Sequence, residues 1–258
     1  MQIVMNKHSK ILLGLMSAFS LLLGSCDDGD IKTSSALALK DGYVVKVTGS
    51  LANAASWSGL GKNYTLVVAG FAEDDSFPTI SKVIPPSSES IDIVLSGMEN
   101  TVSTVELCAI NSIYKRVVSY DTIFSFQDNP DWDPRDTIFY EADGRDVGVY
   151  SGIYSKLFAG KGKCFRCHGE GSAAADMHLV GKENSYAELV GVDSKTVSGS
   201  KRVVAGDADN SVLYRVATEA KTDGALPWHY DHVSNVDGLD YNNQKLLRDW
   251  ISAGAKMN

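Results

Sequence analysis

Positive charge is in short supply: 24 lysines and arginines face 32 acidic residues among 258, for a net charge of -8. That balance excludes a general affinity for a phosphate backbone, which needs a clustered basic surface, so nucleic acid is not an expected partner. Proline is scarce at 6 residues, and 44% hydrophobic against 22% charged positions excludes disordered and collagen-like chains. The apolar run from Ile11 to Leu23 covers only 13 residues, short of the roughly 20 that cross a bilayer. Histidine is absent from 36 to 126, which leaves general acid–base chemistry few candidates there. What remains is a core-forming chain with room for one or two domains, and two are expected.

Lys7 and Lys10 precede the Ile11–Leu23 run, which has the form of an export-signal h-region. After it comes Leu23-Gly24-Ser25-Cys26, which resembles the lipobox of bacterial lipoproteins, where the thiol is lipidated and cleavage leaves that cysteine first. The resemblance implies a signal peptide over 1–25, lipidation of Cys26 and attachment to a bacterial membrane in the cell envelope. An ordinary secretory signal with an incidental cysteine is the alternative. Asp27-Asp28-Gly29-Asp30 resembles the acidic tract that sends some Gram-negative lipoproteins to the cell surface. A solvated tether over 26–35 explains it equally.

From 36 to 127 the residues alternate in short β-rich runs, among them Tyr64 to Phe71, Ile91 to Leu95 and Val102 to Ile110, separated by Gly, Pro, Ser and Asn clusters. Period two and this spacing predict an all-β sandwich resembling immunoglobulin or fibronectin modules, although no Cys…Trp…Cys signature is present. Alternation puts Val105, Leu107 and Ala109 on one face and Cys108 with Ile110 on the other, so Cys108 reads as a quiet buried thiol. Residues 128–146 carry seven acids against Arg135 and Arg145 and read as an extended acidic linker.

Cys164-Phe165-Arg166-Cys167-His168 carries the chemistry. C-x-x-C-H is the attachment site of c-type haem: two thiols add to the vinyl groups and the adjacent imidazole ligates the iron. On a helical turn, positions i, i+3 and i+4 share a face, so Cys164, Cys167 and His168 can all address one macrocycle. A thioredoxin-like site needs a βαβ setting, and a zinc site needs a second ligand pair, yet no cysteine follows Cys167. One covalent haem c is the expected cofactor.

The segment 147–258 resembles an exported monohaem cytochrome c domain. Val149 to Phe158 is similar to that family's first helix, Arg202-Val203-Val204-Ala205-Gly206-Asp207 to its middle, and Leu246 to Ala255 to its last helix and glycine stop. The resemblance implies an all-α domain after the sandwich and single-electron transfer between redox partners. It departs at Gly224-Ala225-Leu226-Pro227, where the family places its distal methionine before a proline and this chain has leucine. His229 is the first choice of distal ligand and His232 the next. Met177, His178, Met257 and an open sixth position are the other options.

Arg202 is the candidate partner for a haem propionate, because guanidinium matches carboxylate geometry. Lys156, Lys161, Lys163 and Arg166 form a cationic cluster, read either as a solvated face or as a docking surface for an acidic redox partner. The leading expectation is a lipid-anchored electron carrier. A haem peroxidase with an open sixth position and a surface interaction protein with structural haem are the alternatives.

Overall fold

Val45, Val47 and Leu51 fall on one face of a period-two run over Tyr43–Ala52, and in the computed structural model this run is strand β1, with those three side chains buried. The structure describes residues 43–86, 90–133, 135–159, 163–171, 174–219 and 230–258, all within a unit spanning Leu39–Asn258. After a 3-10 segment over Ala54–Asn63 follow β2 (Tyr64–Phe71), β3 (Pro78–Val83), β4 (Ser90–Met98), β5 (Thr104–Asn111), β6 (Arg116–Ser125), β7 (Thr137–Glu141) and β8 (Arg145–Asp146). One sheet has the order β4-β1-β7, with β8 also on β1; the other has the order β3-β2-β5-β6. The second sheet is antiparallel throughout, whereas β7 and β8 run parallel to β1.

The helices are α1 (Val149–Ile153), continued by a π turn over Tyr154–Phe158, then α2 (Phe165–His168), α3 (Lys182–Leu189), α4 (Val212–Thr218), α5 (His232–Asn235) and α6 (Tyr241–Ser252). Asp240 caps α6 by accepting from the Asn243 N–H at 3.0 Å, and Leu246, Leu247, Trp250 and Ile251 form its buried stripe. Gly254, at φ 101°, ends it: its N–H reaches the Ile251 carbonyl and the Ala255 N–H the Trp250 carbonyl, the paired bonds of a Schellman stop.

Two expectations are corrected here. The chain is not an all-β sandwich followed by an all-α cytochrome c domain; it is a mixed α/β fold with two sheets. One continuous core runs from Val45 and Leu107 in the sheets to Leu157, Leu189 and Trp250 in the helical part, because the inner faces of both have no other apolar surface to bury against. The helical part also holds isolated β-bridges, such as Val190 with Val203. The acidic linker expected over 128–146 is not extended chain throughout, since its second half supplies β7 and β8. Hydrogen bonds cross the same junction: Trp57 Nε1 donates to the Val147 carbonyl at 2.7 Å, and Tyr120 to that of Gly148 at 2.9 Å.

The alternation read in β5 holds. Val105, Leu107 and Ala109 join the main core, and Cys108 and Ile110 pack with Val67, Ala69 and Phe71 on the outer face of the second sheet. Cys108 is a free, fully buried thiol whose pKa burial raises far above the usual range.

Candidate functional site

Cys164, Cys167 and His168 sit on one turn. The Cys167 and His168 N–H groups both donate to the Cys164 carbonyl, at 3.2 and 2.9 Å, which aligns the three side chains as i, i+3 and i+4 spacing requires. All three line a cavity of about 520 Å3. Burial pushes the Cys164 thiol up to about 12, so in the folded chain it is held as the neutral thiol.

The His168 ring is oriented by the backbone. Its Nδ1 lies 3.2 Å from the Met177 carbonyl oxygen, which can only accept, so Nδ1 carries the proton and Nε2 keeps its lone pair. Burial lowers the imidazole pKa below its usual value and favours this neutral form. Leu179 and Leu189, both buried, with Val212, Leu213 and Val216 give the cavity an apolar wall. An apolar-walled pocket of this size, open to the surface on one side, falls in the range of about 300–1,000 Å3 typical of organic cofactor sites. Among the described residues no group of three or more His, Cys, Asp or Glu converges as a bare-ion site would require. The donor set and the space therefore fit a large apolar macrocycle carrying its own metal.

His232 reaches the same cavity from α5. Its Nδ1 lies 3.0 Å from the Tyr230 carbonyl oxygen, which by the same logic leaves the Nε2 lone pair free. Burial lowers its pKa as well. Asp231 fixes the start of α5 by accepting from the Ser234 N–H at 3.1 Å, and Tyr230 packs edge-on against the imidazole at 5.1 Å.

Arg202 is buried at the cavity wall, where one nitrogen meets the Glu188 carboxylate at 2.7 Å and another the Asp176 carbonyl at 3.0 Å. Its charge thus has a protein partner, and it braces α3 against the turn behind His168. His229 and Cys26 lie outside the described residues, as does Lys161. His178 and Met257 are exposed and do not line the cavity, whereas Met177 does. Lys195, with Ser194 and Thr196, joins the wall without any motif to mark it in the sequence. Among the described residues no helix is long and apolar enough to cross a membrane.

Comparisons with protein-family models, curated proteins and solved structures find no match to this chain.

Proposed function

We propose that the Cys164–His168 turn and its cavity hold one covalently attached haem c, and that the protein carries single electrons between redox partners in the cell envelope. The observation that carries this reading is the meeting of a C-x-x-C-H turn, an imidazole oriented through Nδ1 by the Met177 carbonyl and an apolar-walled cavity of about 520 Å3 in one place. Each thiol adds its S–H across one vinyl C=C: a C–S bond forms, the hydrogen goes to the neighbouring carbon, and no oxidant is needed. Bound there, haem c supplies a one-electron ferric/ferrous couple.

The protein's own groups do the rest. His168 offers Nε2 as a ligand, and the Met177 carbonyl fixes the ring's tautomer and direction. Leu179, Leu189 and Leu213 exclude water and keep the local dielectric low, which governs the potential. Arg202, held by Glu188, keeps a guanidinium at the wall, where a carboxylate of the cofactor can approach it. Lys163, Arg166 and Lys195 line the cavity and favour encounter with an acidic partner. The lipid proposed on Cys26 keeps the protein at a membrane.

The test is expression of the full chain with a c-type maturation system. One haem per chain should survive denaturing electrophoresis, and Cys164→Ala with Cys167→Ala should abolish the stain. A colourless wild-type product would sink the proposal.

A further inference from the structure

We infer that His232 is the second axial ligand, so that the iron is held between two imidazoles; this rests on the haem reading above. His232 stands on a different element from the C-x-x-C-H turn yet lines the same cavity. Its orienting contact repeats that of His168: each Nδ1–H donates to a backbone carbonyl, of Tyr230 at 3.0 Å and of Met177 at 3.2 Å, so each ring keeps its Nε2 lone pair. A surface histidine has no need of that arrangement, whereas a metal ligand does, because the bond at one nitrogen sets the basicity and direction of the other.

Among the described residues the competing donors are placed differently. Met177 supplies the carbonyl behind His168, on the ring edge opposite the ligating nitrogen, and so belongs to the first ligand's side. His178 and Met257 are exposed and away from the cavity wall. The short helix carrying His232 is capped by Asp231, and the Tyr230 ring packs edge-on against the imidazole at an interplanar angle of 84°. Both contacts hold the ring in place before any cofactor arrives.

The experiment uses the haem-loaded full chain, with haem content measured first on denatured protein. Wild-type ferric protein should be low-spin, without a thioether-to-iron band and without ready carbon monoxide binding in the ferrous state. His232→Ala should retain its haem, turn high-spin and bind carbon monoxide, and added free imidazole should restore the low-spin spectrum. His232→Met should introduce the thioether band and raise the potential. His229→Ala should leave the spectrum unchanged. A haem-loaded wild type that is already high-spin overturns the ligand assignment alone, as does a His232→Ala protein that stays low-spin while His229→Ala changes. A colourless wild type overturns the haem reading itself, and the assignment falls with it.

Discussion

Asp146 and Lys182 meet at 2.5 Å, joining the last strand of the first sheet to α3 beside the cavity. The same carboxylate accepts from Ser151 Oγ at 2.5 Å, and from Asn53 Nδ2 and the Gly148 N–H at 3.0 Å each. Burial works to raise its pKa, but the ammonium and the three other donors outweigh that and hold it at about 2. The folded value lies below the unfolded one, so this contribution is complete above the ordinary aspartate value and is lost as pH falls towards 2. Asp146→Asn should cost about 1–2 kcal/mol at pH 7, allowing for partial exposure, and should flatten the acid limb of stability. Denaturant titrations at pH 7 and pH 3 check both.

The shared core sets a second expectation. Leu107 is buried in β5 and Leu246 in α6, within one cluster. Leu107→Ala and Leu246→Ala should each cost about 2–5 kcal/mol, and both should move the same single transition. Two transitions that respond separately, followed by circular dichroism and by tryptophan fluorescence, would restore the two-domain picture.

Gly148 makes a sharper steric test. A Cβ there would lie 2.1 Å from the carbonyl carbon of Asn258, whose oxygen accepts from the Tyr150 N–H at 2.9 Å. Gly148→Ala should destabilise by more than about 2 kcal/mol, while Gly59→Ala, with nothing within 4 Å, should change little. Thermal melts of the two variants side by side decide it.

Arg202→Ala removes a buried guanidinium from the cavity wall and, with it, the partner of the part-exposed Glu188 carboxylate and of the Asp176 carbonyl. A loss of about 2–4 kcal/mol is expected, with the haem still covalently attached. Arg202→Lys should recover only part, since a single ammonium cannot serve both acceptors in the same geometry. Denaturation of the haem-loaded variants, with gel staining for haem, separates bracing from attachment.

The local features were legible because local chemistry encodes them. The Cys164–His168 spacing is set by one helical turn, the two faces of β5 by strict alternation, and the α6 stop by Gly254. The pairing of β7 with β1 was hidden: Thr137–Glu141 sits in an acid-rich stretch, and a parallel partner distant in sequence leaves no local pattern. His232 stands second among the distal candidates in the sequence, because its place at the cavity depends on the Tyr230–Asp231 turn and not on distance from a family landmark. Arg202 was nominated for its geometry, but only the fold reveals Glu188 beside it.

The parallel pairing also orders events in time. β1 lies between β4 and β7, so one of its edges stays open until Thr137–Glu141 has been made and has reached it. Pairings so distant along the chain form late, after loop-closure entropy has been met, and an unpaired β-rich edge is a template for association until then. A chain emerging from a ribosome or threading a pore therefore carries β1 half-finished until residue 141 of its 258 has been made. Pulse-labelled hydrogen exchange should show the β1 amides that face β7 gaining protection together with β7, and later than those that face β4.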